Sequence, residues 1–188
     1  MAYFPLFIDL DGADVLIVGG GSTAHRKLET LLEFGAEITV VSPDFTGDFA
    51  AAKTVKAEFS PELLEEHSYV LIIAATDSEA VNCQVCQAAK ERNIPVNSVD
   101  DPENCTFYFP AVVKDGDVVV GISSGGKSPL VVQYVKRLIQ KVFPKNIGAV
   151  NQIMGAERRN IRVKIPGKTE QDQKKRAAFL RKRLEELL

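Results

Sequence analysis

Gly19, Gly21 and Ala24 fall in the order G-x-G-x-x-A immediately after a short apolar run, Ala13 to Val18 (ADVLIV). A glycine at the first position permits a tight turn, and one at the second removes the Cβ that would hold a pyrophosphate off the backbone. The small Ala24 lets the following helix pack closely on the strand. The unpaired N–H groups of the first helical turn, near Gly21, Ser22 and Thr23, would then face a phosphate, with the positive end of the helix dipole behind them. This arrangement predicts a dinucleotide site.

Asp44 stands twenty residues beyond Ala24. At the exit of the second predicted strand its carboxylate could accept hydrogen bonds from ribose hydroxyls. No basic residue follows that strand directly to receive a 2′-phosphate, so the pattern points to NAD rather than NADP. The competing reading of Asp44 is a turn residue after Ser42-Pro43. Thr76, at the end of the apolar run 69–75, is a further candidate, because strand ends of this kind line the cofactor crevice.

A second phosphate-type pattern lies downstream. Residues 121–128, GISSGGKS, fit G-x-x-x-x-G-K-[ST] between a strand and a helix. A nucleotide hydrolase of this type also needs a metal-side aspartate ending another strand, and further parallel strands. The sixty residues after Ser128 offer neither, the preceding strand belongs to a hairpin, and Pro129 follows directly. As a serine- and glycine-rich turn opening a helix, Ser124, Gly125, Gly126, Lys127 and Ser128 still present clustered donors to an anion such as a carboxylate.

These residues need elements to hold them. After the strand 13–18, Ala24, Leu28, Leu31 and Leu32 share one face of a predicted helix over 23–34 that Gly35 ends, and 37–41 (EITVV) reads as the next strand. The alternation continues with a strand at 54–59, a short helix opened by Ser60-Pro61, a strand at 69–75, a helix at 79–92 and a strand at 94–99. The fold class is α/β, a Rossmann-like doubly wound parallel sheet, complete by Asp101. Then the pattern changes. FYFPAVV and DVVVGIS flank Lys114-Asp115-Gly116 as an antiparallel hairpin. A helix carrying Leu130, Val131, Tyr134, Leu138 and Ile139 follows, and from Lys145 the chain reads as polar helix interrupted at Pro166-Gly167. The expected division is 1–106 for the NAD-binding domain, 107–143 for a small α+β region, and 144–188 for a C-terminal helical region.

Composition narrows the classes. The 188 residues are 45% hydrophobic and 26% charged, enough to bury a core. No apolar run approaches the roughly 20 residues that span a bilayer, and the first residues lack the pattern of a secretory signal, so a cytoplasmic protein without membrane contact is expected. The odd count of three cysteines fits reduced thiols. Cys83 and Cys86 share a predicted helix and have no second pair, while His25 and His67 lack neighbours at ligand spacing, so no metal site is assigned. Residues 157–188 hold eleven Lys and Arg against five Asp and Glu. This is a solvated helical face or a surface attracting an anionic substrate; without interleaved aromatics, nucleic acid is not expected.

Taken in series, FPLFIDLDGADVLIVGGGSTAHRKLETLLEFGAEITVVSP, AATD at 74–77, NSVDDPENCTFYFPA at 97–111 and SSGGKSP at 123–129 resemble the precorrin-2 dehydrogenase/sirohydrochlorin ferrochelatase family, the siroheme synthase N-terminal type. The resemblance runs from about Phe4 to Lys141. It implies an NAD-dependent enzyme that removes a hydride and a proton from precorrin-2 to give sirohydrochlorin. It also implies a homodimer, and in some members Fe²⁺ or Co²⁺ insertion into the product. By motif, Ser22, Thr23, Pro43 and Asp44 match NAD contacts, although many relatives carry a charged or aliphatic residue at the first two. The family's functional aspartate follows Asn-x-Val and matches Asp100, with Asp101 adjacent; it would take a proton or position substrate or metal. Ser124 matches the serine of the SSGG element and is assigned to the substrate region. Ending at Leu188, the chain would oxidise precorrin-2 without making it. Two other readings remain open: a P-loop-like NTPase acting through 121–128, and a non-enzymatic NAD-sensing module.

Overall fold

A computed structural model describes residues 4–65, 67–99 and 101–188. The chain divides into two compact units, the first ending at Phe109 and the second beginning at Pro110. In the first, β1 (Asp14–Val18), β2 (Glu37–Val41), β3 (Lys53–Val55), β4 (Leu71–Ala74) and β5 (Val96–Ser98) form one sheet in the order β3-β2-β1-β4-β5. Every pairing is parallel. Among its described residues this unit also holds α1 (Ser22–Leu32), α2 (Glu79–Glu91) and, where Ser60-Pro61 predicted a short helix, a 3-10 turn at Pro61–Leu64.

The continuous apolar strands read from the sequence follow from a sheet covered on both faces. Side chains alternate along β1: Val15 and Ile17 join Ala24, Leu28, Leu31, Val40 and Ile73 on one face. Leu16 and Val18 join Val41, Ile72, Ala74, Val85, Cys86 and Val96 on the other. Ala24 is fully buried where α1 meets the sheet, the place its small side chain was expected to occupy. The strand expected at 54–59 is shorter, three residues at 53–55, because Ala57 N–H turns back to the Val55 carbonyl.

In the second unit, β6 (Ala111–Asp115) and β7 (Val118–Ile122) make the antiparallel hairpin, closed at Gly116, whose φ is +56°. The hairpin starts later than FYFPAVV suggested: Phe107 and Phe109 instead pack on the core of the first unit. Three helices follow, α3 (Pro129–Val142), α4 (Ile147–Lys164) and α5 (Glu170–Leu187). The Asp115 carboxylate accepts from Gly148 N–H at 2.8 Å, tying the hairpin to the first turn of α4. Thr169 and Asp172 form a reciprocal cap on α5.

Ala24→Leu forces extra methyl groups between α1 and the sheet. It is expected to lower unfolding stability by about 1–3 kcal/mol, read from the urea midpoint; an unchanged midpoint would mean that the helix is not seated closely on β1.

Candidate functional site

The first unit leaves β1 in two directions, to β2 and β3 on one side and across to β4 and β5 on the other. At such a reversal the turns at the carboxyl ends of adjacent strands diverge and open a crevice. Register brings the ends level: Val18 pairs with Val41 and with Ala74. A crevice of about 560 Å³ lies there, lined by the turns after β1, β2 and β4 together with Glu58 and Phe59. Of the residues expected to hold a cofactor, Gly19, Gly21, Pro43, Asp44 and Thr76 all line it. Ser22 and Thr23 occupy the first turn of α1 and are not among the lining residues.

The glycines have distinct reasons. Gly19 has φ +124°, and a Cβ there would collide with the Ala75 carbonyl oxygen. Gly20, which the motif leaves free, is equally constrained: a Cβ would strike the Asp44 carbonyl oxygen and Ser42 Oγ. Gly21 is the contrary case, since a Cβ would point into open space, where a bound group can come up to the backbone. It is also the N-cap of α1, and no side chain caps this helix. The first intrahelical bond runs from His25 N–H to the Gly21 carbonyl, so the preceding helical N–H groups have no partner within the helix. An open space beside uncapped donors suits the pyrophosphate of a dinucleotide.

The turns are laced together. Gly19 N–H donates to the Val41 carbonyl at 2.8 Å, Thr46 N–H to the Gly20 carbonyl at 2.7 Å, and Ser42 Oγ to the Asp44 carbonyl at 2.6 Å. The Asp44 side chain itself points into solvent, 87% exposed, with Lys56 Nζ at 3.6 Å from Oδ1. Sequence reading missed this lysine because β3, not the chain after β2, delivers it.

Thr76 is held by a residue that the sequence did not single out. Asn82, buried in α2, accepts from Thr76 N–H at 3.1 Å and from Thr76 Oγ1 at 2.8 Å, and its Nδ2 donates to the Thr76 carbonyl at 3.0 Å. An asparagine three residues into a helix is ordinary in sequence; only the fold shows that it clamps the β4 exit.

Asp100 lies outside the described residues. Its neighbour Asp101 accepts from the side chain and backbone of Asn104, and these hydrogen bonds hold its carboxyl below the usual carboxylate range. Nearby, Lys27 of α1 reaches Asn97 Oδ1 of β5 at 3.5 Å, and its Nζ sits 3.7 Å from the centroid of the Phe109 ring. Burial, reinforced by Arg26, lowers its pKa from 10.5 to about 8. The available clue was a lysine three residues after Ala24, on the helix face that otherwise packs on the sheet. Burial raises the Cys86 thiol to about 11 and raises the Cys105 thiol as well, so neither is primed as a nucleophile.

In the second unit, Ser124 Oγ accepts from Ser128 N–H at 3.0 Å and donates to the Ser128 carbonyl at 3.2 Å. Ser128 Oγ in turn caps α3 by accepting from Val131 N–H. Gly125 and Gly126 take φ of +63° and +77°, and Lys127 is exposed. The strand before this loop belongs to the two-stranded antiparallel sheet, as the sequence argument against a P-loop hydrolase required. Among the described residues no group of three or more His, Cys, Asp or Glu could hold a metal ion.

Residues 6–111 match the family model described as "Putative NAD(P)-binding". A siroheme synthase of Tolumonas auensis is 38% identical over 169 residues, 88% of this chain and 36% of that protein. Siroheme synthase 2 of Aeromonas hydrophila is 40% identical over 162 residues, 84% of this chain and 34% of that protein. The chain thus spans about a third of the length of the relatives it matches. The solved structure "SirC, precorrin-2 dehydrogenase" superposes with a TM-score of 0.68, at 22% identity, over 96% of this chain and 100% of that one, a likeness of fold.

Because Lys27 loses its proton at lower pH in the folded chain than in the unfolded one, the unfolded state binds more protons between about pH 8 and 10.5. This group therefore makes stability rise with pH across that window, while Cys86, raised to about 11, acts in the opposite sense. Urea midpoints at about pH 7 and about pH 10 are expected to show Lys27→Met without the lysine's rising contribution. Identical pH slopes in the two proteins would mean that Lys27 is not buried as described.

Proposed function

The chain belongs to the NAD(P)-binding family whose model it matches over residues 6–111, and on that premise we propose that it catalyses NAD-dependent oxidation of precorrin-2 to sirohydrochlorin in siroheme biosynthesis. One observation carries the reading beyond cofactor binding. A match of 169 residues to a siroheme synthase cannot fit within the first unit, which ends at Phe109, so the likeness extends from the crevice into the unit that bears Ser124 to Ser128.

NAD, when bound, supplies the acceptor for a hydride. The chain's own residues do the rest. Gly19, Gly21 and the N–H groups around Ser22 and Thr23 hold the pyrophosphate, Pro43 and Asp44 hold a ribose, and Asn82 fixes Thr76 at the crevice wall. Asp100 takes the proton that must leave as the hydride departs, a task for a carboxylate within reach of the reacting centre. Gly125, Gly126 and Lys127 meet carboxylates of the tetrapyrrole, with Ser124 and Ser128 shaping the loop.

We also propose that two copies pair through the region 107–143, most of which lies in the second unit. Leu130, Val131, Tyr134, Leu138 and Val142 are exposed along α3, and the family resemblance supplies the occupant, a second copy of this chain. No helix among the described residues is long and apolar enough to cross a membrane, and we place the enzyme in the cytoplasm. Fe²⁺ or Co²⁺ insertion into the product is a further activity that the same reading proposes.

Anaerobic incubation with precorrin-2 is expected to give the sirohydrochlorin spectrum only when NAD is present, and a metal-containing product when Fe²⁺ is added. Asp100→Ala is expected to slow oxidation by about 10²-fold or more while leaving NAD affinity unchanged. No oxidation by a folded protein would turn attention to NAD sensing. ATP hydrolysis lost in Lys127→Ala would revive the hydrolase. Sedimentation is expected to show a dimer for the native chain and a monomer for Leu138→Glu; a native monomer would overturn the proposed interface.

A further inference from the structure

Charge around the crevice is one-sided. Asp44, Glu58 and Asp77 line it, and no Lys or Arg is among its described lining residues. A cofactor carrying an additional phosphate would meet like charge there. Just outside, however, stands a cation, Lys56, and the sheet puts it there. β3 runs parallel to β2 with Val55 opposite Val41, and Ser42 N–H donates to the Val55 carbonyl at 3.1 Å. Lys56, the next residue, is thereby carried level with the exit of β2. Its Nζ lies 3.6 Å from Asp44 Oδ1, with the lysine side chain 75% exposed.

We propose that Asp44 and Lys56 act as a pair that sets cofactor preference, with Lys56 a latent site for a 2′-phosphate that Asp44 keeps closed. This rests on the assignment of Asp44 to the ribose of NAD. The 2′-hydroxyl of one cofactor and the 2′-phosphate of the other occupy the same position. A carboxylate there accepts from the hydroxyl but repels the phosphate, and it also engages the nearest ammonium. Removing its charge while keeping its shape takes away the repulsion and releases Lys56. Both side chains are exposed, so each contribution is modest and weakened by salt.

The test is calorimetric titration of the whole chain with NAD and with NADP, in the native protein, Asp44→Asn, and Asp44→Asn combined with Lys56→Gln. The native protein is expected to prefer NAD. Asp44→Asn should weaken NAD and tighten NADP by about fivefold, and this gain should shrink as salt is raised. The double variant should lose it. A single variant with no gain for NADP, or a gain that survives Lys56→Gln or is indifferent to salt, overturns the pairing while leaving NAD binding intact. A native protein that binds neither nucleotide overturns the cofactor assignment itself, and the pairing with it.

Discussion

The turn after β1 passes so close to the turns after β2 and β4 that there is no space for a side chain at two successive positions. Gly19 lies against the Ala75 carbonyl and Gly20 against Asp44 and Ser42. That crowding is what brings the three turns into a single crevice wall. Strand lengths serve it, since β1, β2 and β4 end in register at Val18, Val41 and Ala74. Ala24 serves it too, because a bulkier residue would lift α1 and carry its N-terminal donors away from the turn.

Close packing at the carboxyl ends also explains why polar side chains are spent inside the site. Turns that approach this closely leave buried backbone groups that must find partners. Ser42 answers the Asp44 carbonyl, and Asn82 answers both backbone groups of Thr76 with one amide. Both side chains are buried and fix the backbone that the exposed residues, such as Asp44, depend on. The crevice wall is therefore pinned through its backbone by buried side chains, while its rim is exposed.

Much of the first unit was legible along the chain. Apolar runs bounded by glycine, and helical spacing of Ala24, Leu28 and Leu31, report local periodicities that the sheet merely uses. What escaped was lateral. Lys56 meets Asp44 because β3 lies beside β2, Asn82 meets Thr76 because α2 folds back on β4, and Lys27 meets Asn97 because its long side chain reaches from α1 across to β5. No spacing rule along the chain encodes those encounters. The late start of β6 has a similar origin: Phe107 and Phe109 alternate like strand residues, but the core of the first unit claims them.

The two glycine-rich turns show how similar sequence patterns part company physically. Both follow a strand and open a helix. At α1 the N-cap is Gly21, which has no side chain to offer, so the helix's first donors are left for a ligand. At α3 the N-cap is Ser128, whose hydroxyl takes one of those donors for itself, and Ser124 spends its single proton on the Ser128 carbonyl. The second loop has thus partly satisfied its own needs. What stays open to an anion there is the backbone around Gly125 and Gly126 and the exposed ammonium of Lys127. The first turn, with room left by Gly21 and helical N–H groups left without an intrahelical partner, keeps those donors open to an anion such as a pyrophosphate.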